Sequence, residues 1–129
     1  MNDRGSITAF VVVITVLFIA CAGLVIDGAR IVNARATALD HAGNAARAGA
    51  QEVAVARDGS TVLDPQRAAS TASAYLASFG VDGTVSVAGS RVTVTVRIDA
   101  RATLLRIVGF DGRRVSATRS ATAVTSEDG

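Results

Sequence analysis

Between Ser6 and Ile26 the sequence reads SITAFVVVITVLFIACAGLVI, 21 residues without a charged side chain. At about 1.5 Å per residue, a helix over this run spans roughly the ~30 Å of a bilayer core. A backbone crossing lipid must satisfy its own hydrogen bonds, so the β-branched residues here do not argue for a strand. Asn2, Asp3 and Arg4 bound the run on one side, Asp27 and Arg30 on the other. A small soluble domain has no need to bury so long an uncharged helix, and the run is read as a transmembrane segment over residues 6–26. Its apolar stretch is longer than a typical signal-peptide core and runs directly into helix-favouring sequence, which fits a signal anchor better than a cleaved signal.

Helical pattern continues past Asp27. No proline occurs from Gly28 to Arg57, and alanine, the residue of highest helix propensity, dominates. Ala34, Ala38, Ala42, Ala46, Ala50 and Ala54 recur every fourth residue, which places them on one helix face. This is a candidate packing seam, open to self-association through the helix, to another membrane protein, or to the chain's own head. Residues 27–57 are therefore expected to extend the membrane helix.

Downstream, DGSTVL reads as a turn. Asp64 and Pro65 supply an N-cap and a first helical residue. Ala68, Ala69, Ala72, Tyr75, Leu76 and Phe79 form the apolar face of the helix that follows, and Gly80 ends it. Period-two alternation then takes over. Val85 and Val87 precede a Gly89-Ser90 turn of the II′ kind, and Val92, Val94, Val96 and Ile98 alternate with polar residues, predicting a β-hairpin. ATLLRIVGF at 102–110 is ambiguous between a short helix and an apolar strand, and its crowded apolar residues could also touch a membrane surface. Residues 114–124 have the composition of a third strand, and 126–129 should fray. The expected fold class is α+β. A short N-terminus at 1–5 and the membrane-rooted helix would carry a head over 58–125, made of one helix and an antiparallel sheet of two or three strands.

Composition narrows the function classes. All thirteen basic residues are arginine, the net charge is only +2, and there is no tryptophan. The arginines are dispersed among acids and not interleaved with aromatics, unlike a nucleic-acid groove. One histidine, His41, read as a helix-surface residue, and one cysteine, Cys21, inside the apolar run, provide neither a zinc ligand set nor a disulfide. No catalytic constellation or phosphate loop is visible, so no catalytic residue, cofactor or metal is expected. Asp27 directly follows the apolar run with Arg30 three residues on, a candidate interfacial ion pair.

Arg4-Gly5-Ser6, the apolar span, and Gly23-Leu24-Val25-Ile26-Asp27-Gly28-Ala29-Arg30, followed by Arg35, Leu39 and HAGNAARAGA at 41–50, resemble the N-terminal module of TadE/TadG-like proteins. The likeness covers about the first 55 residues, and the later TLLRIVGF segment and alternating tail resemble short actinobacterial members. Such a resemblance implies a non-enzymatic, single-pass component of a Tad (Flp-type) pilus-assembly system, minor pilin-like or pseudopilin-like. Its partners would be the lipid bilayer and other pilus-assembly or pilin-like membrane proteins. It further implies a cell-membrane location with the N-terminus inside and the head outside, an orientation the nearly balanced flanking arginines do not decide. Arg4-Gly5 before an apolar segment also resembles a prepilin-type processing site, with cleavage between Gly5 and Ser6. Departures from the pattern are Ala9 before Phe10, where many such sequences carry glutamate, and Asn44, where aspartate is common. Absence of that glutamate argues against docking into a filament in the pilin manner. The alternative reading is a signal-anchored extracytoplasmic binding module unrelated to pili.

Overall fold

A computed structural model describes residues 3–102, 105–109 and 112–124. One helix, α1 (Asp3–Ala50), takes up 48 residues and is about 72 Å long. It is unbroken through the junction at Asp27. The large apolar side chains of its first part are mostly open: Phe10, Phe18 and Val25 are 65%, 73% and 70% exposed. Its last part is the opposite, with Ala38, Ala42, Ala45 and Ala46 fully buried.

α1 ends at Ala50, short of the Arg57 expected from the alanine pattern. β1 (Val53–Val55) follows and pairs antiparallel with β2 (Thr61–Leu63), in the register Val53↔Leu63. The turn between them is built by Asp58 and Gly59. Gly59 has φ +85°, Asp58 Oδ1 accepts from the Ser60 N–H (3.0 Å) and hydroxyl (2.6 Å), and the Ala56 N–H donates to the Ser60 carbonyl. This local chemistry, a side-chain-closed turn with a glycine in the left-handed region, closes the β1–β2 hairpin. Ala54 therefore lies on β1 and not on the helix seam.

α2 (Pro65–Ser78) begins as its sequence dictates. The Asp64 carboxylate accepts from the N–H groups of Gln66 and Arg67, and Pro65 occupies the first turn. Ala68, Ala72 and Leu76 are buried, and Gly80 (φ +63°) follows the helix end. Of the expected apolar face, Phe79 departs, being 57% exposed.

β3 (Asp82–Ala88), β4 (Arg91–Arg101) and β5 (Gly112–Thr122) form an antiparallel meander in the order β3-β4-β5. At the β3–β4 turn Gly89 has φ +58° whereas Ser90 has no positive φ, the II′ pattern. The residues of 102–110 that are described resolve the ambiguity in part: Leu105–Val108 is a single 3₁₀ turn, η1, within the β4–β5 connection. The expected frayed tail at 126–129 lies outside the described residues.

The core has two layers. Val92, Val94 and Val96 of β4 alternate inward and are fully buried, flanked by Val115 and Ala117 of β5. α1 lies over β4 and β5, and α2 lies over β3. Alanine and glycine set the spacing. A Cβ on Gly49 would sit 2.9 Å from the Ala68 carbonyl oxygen and 3.2 Å from Val92 Cγ1, and one on Gly83 would sit 2.7 Å from Leu76 Cδ1. The opposite face of the sheet is a hydroxyl lattice, with Thr93 bonded to Ser120 and Thr95 to Thr118 across the strands, both at 2.9 Å. At its rim Arg114 Nε donates to Asp99 Oδ1 at 2.9 Å. That bond holds the Asp99 carboxyl below its ordinary range and raises the Arg114 guanidinium.

Candidate functional site

α1 carries every candidate site residue read from the sequence except Ala54. Gly5 and Ser6 lie in its exposed first turns, and a Cβ on Gly5 would meet nothing within 4 Å. The six-alanine stripe divides. Ala38, Ala42, Ala46 and Ala50 are buried in the head's own core, Ala34 is half-buried, and Ala54 is on β1. Ala45 and Gly49 complete the covered face. The described contact of this seam is thus with β4, β5 and α2 of the same chain.

Asp27 is where the structure changes the sequence reading most. Asp27 is expected as an interfacial charge paired with Arg30, and its side chain is fully buried. Arg30 Nη1 stands 3.8 Å from Asp27 Oδ1, too long for a hydrogen bond but an ion pair by charge, and Arg30 is half-exposed. Gly23, one turn earlier, is buried as well. Half-buried Ile31 and Ala34 continue the same flank toward Ala38. The covered flank of α1 therefore starts inside the apolar run, not after it. η1, within the β4–β5 connection, is in contact with α1.

His41 also departs from expectation. It is half-buried between α1 and α2, its ring 5.0 Å from that of Phe79 and 6.4 Å from that of Tyr75, and its buried Nδ1 has no hydrogen-bond partner. Tyr75 and Phe79 are themselves 5.0 Å apart. This aromatic trio closes the outer edge of the α1–α2 contact. A lone histidine gave no sign of it, because its partners lie more than thirty positions downstream.

A shallow polar cleft runs between α1 and β5, lined by Asp40, Gly43, Asn44, Arg47, Arg119 and Ser120. Arg119 belongs to the core face of β5, opposite Val94, and its stem passes 3.9 Å from where a Gly43 Cβ would be. The cleft brings together neither a nucleophile with a base nor a set of metal ligands. Among the described residues, no group of three or more His, Cys, Asp or Glu could hold a metal ion. The arrangement joins a small head to the far half of a long helix whose near half presents apolar side chains outward.

No curated protein and no solved structure matches the chain. Residues 5–52 do match a family model, described as "Putative Flp pilus-assembly TadE/G-like". The match runs from the third residue of α1 to two residues past its end. It is across this helix, with its candidate membrane span and its buried alanine face, that the chain is similar to the TadE/G-like pilus-assembly family.

Proposed function

We propose that this chain is a non-enzymatic, single-pass membrane component of a Tad/Flp-type pilus-assembly system, with a structural or assembly role. In this reading residues 6–26 cross the cell membrane with the N-terminus inside, and the head stands outside. The observation that carries it is the division of α1 within the family-matched segment. Most of the large apolar side chains from Ile7 to Ile26 are left open, while Ala38, Ala42, Ala45, Ala46 and Ala50 are buried. A large apolar side chain taken out of water gains about 1.5–3 kcal/mol. An uncovered apolar surface this long is far beyond the few hundred Å² that a soluble monomer tolerates, and lipid is the cover that fits it. Other pilus-assembly membrane proteins would meet the chain through the exposed faces of α1 or the polar face of the sheet.

Deletion of the gene in a piliated host tests the role. Surface pili should be lost and should return with the wild-type chain. They should not return with Val16→Arg, which puts a charge at the centre of the span at about 2.5–3.5 kcal/mol on insertion scales. Unchanged piliation after deletion would contradict the assignment.

A further inference from the structure

We infer that the tip of the β4–β5 hairpin, at Arg106 and Ile107, rests in the lipid headgroup layer beside α1, so that the head is seated on the membrane and not held clear of it. This inference rests on α1 spanning the bilayer, as proposed above.

The register between α1 and the sheet fixes where the tip falls. Gly49 lies against Val92 of β4, and Gly43 lies against Arg119, which pairs with Val94. Going back along α1 therefore means going forward along β4. From Val92 to Arg101 is about nine steps of ~3.3 Å, near 30 Å. The same distance is about 20 residues of helix at ~1.5 Å each, which leads from Gly49 to about position 29. The end of β4 thus arrives at the turn where the apolar run ends, and the connection to β5 reaches beyond it.

Burial gives the same answer independently. Asp27 and Gly23 are covered, whereas Leu24, Val25 and Ile26 around the rest of the helix are 61%, 70% and 45% exposed. One flank of the last apolar turns is occupied by protein, and η1 touches α1. The remaining flanks at that height face lipid if the segment spans. Ile107 on η1 is 85% exposed, and Arg106 beside it is exposed. An apolar side chain next to an arginine, at the depth where a helix leaves the hydrocarbon, has the chemistry of an interfacial contact. The apolar group enters the acyl boundary and the guanidinium stays among the phosphates.

The test uses the full chain in phosphatidylethanolamine/phosphatidylglycerol vesicles. Three single-cysteine variants in a Cys21→Ala background, Ile107→Cys, Val55→Cys and Leu17→Cys, each carry an environment-sensitive fluorophore. Val55 is 76% exposed and lies beyond the far end of α1, and Leu17 lies mid-span. Lipids spin-labelled near the headgroup should quench the probe at 107 strongly, while aqueous iodide should quench it weakly. The probe at 55 should show the reverse. A probe at 107 that behaves like the one at 55 would overturn the inference. So would one sheltered from both quenchers, since a protein surface would then be its cover. If lipids labelled deep in the acyl chain fail to reach position 17, the spanning helix itself falls, and the seated head with it.

Discussion

Gly43 and Gly49 sit six residues apart on α1, neither has a positive φ, and the same substitution should move them in opposite directions. Replacing either by alanine removes backbone freedom from the unfolded chain and gains up to about 1 kcal/mol of helix propensity, somewhat less at Gly49 near the helix end. At Gly43 the new methyl finds only Arg119 Cγ, at 3.9 Å, an ordinary contact. At Gly49 it meets the Ala68 carbonyl oxygen at 2.9 Å, Val92 Cγ1 at 3.2 Å and Ala72 Cβ at 3.3 Å. Two of those three atoms are backbone or Cβ and cannot turn away, so α1 and α2 must separate. Overfilling a packed site in this way costs about 1–3 kcal/mol. Gly43→Ala should therefore stabilise the head by roughly 0.5–1 kcal/mol and Gly49→Ala should destabilise it by roughly 0.5–2 kcal/mol. For a head of this size a difference near 2 kcal/mol separates the melting temperatures by on the order of 10 °C. Far-UV circular dichroism melts of the two variants, as full chains in one detergent, measure that gap. A Gly49→Ala protein melting at or above Gly43→Ala would mean that the α1–α2 spacing is not set by this contact.

Three further outcomes follow from the same geometry. Ala42→Leu and Ala46→Leu together overfill fully buried sites facing the sheet, so they should lower the melting temperature while intermolecular crosslinking in membranes stays unchanged. Asp64→Ala removes the acceptor for the N–H groups of Gln66 and Arg67 and should cost about 0.5–2 kcal/mol in a urea titration. Asp58, held below the ordinary carboxylate range by the Ser60 hydroxyl and N–H, and Asp99, held there by Arg114, both favour the folded state in their ionised forms. Their contribution is therefore complete above the unfolded carboxyl range and is lost as pH falls through the lowered folded value. Urea midpoints should be level near neutrality and decline below about pH 4, less steeply in Asp99→Asn.

Much of this architecture was legible because single residues carry strong local chemistry. Asp64-Pro65 set the start of α2, Gly80 its end, and Gly89 the hairpin turn, while the alternation from Val92 to Val96 fixed which side of β4 is core. The end of α1 was misread because alanine propensity past Ala50 is a weak prior that tertiary pairing overrides. The hairpin signal was present, Val53 and Val55 followed by Asp58-Gly59 and then Thr61 to Leu63, but the strands are only three residues each. Burial of Asp27 was not legible. Asp27 directly follows an apolar run and marks only where that run ends, and no local pattern around it says that this flank of α1 is covered. The same holds for His41, whose aromatic partners lie on α2 and at its C-cap. The alanine stripe was readable as a seam, but a stripe of methyls does not name its partner, and here it is the chain's own sheet.

A role in the cell envelope of the kind proposed requires α1 to cross the membrane with the head outside. Labelling with a membrane-impermeant maleimide in wall-stripped cells producing Val55→Cys in a Cys21→Ala background measures this most directly, because Val55 is exposed on the head and no other cysteine remains. A spanning α1 with the head outside gives full labelling of intact cells, with no increase after lysis and with the protein retained in the membrane fraction. Labelling only after lysis would put the head inside, and labelled protein released from the membrane by alkaline wash would mean that α1 does not span it.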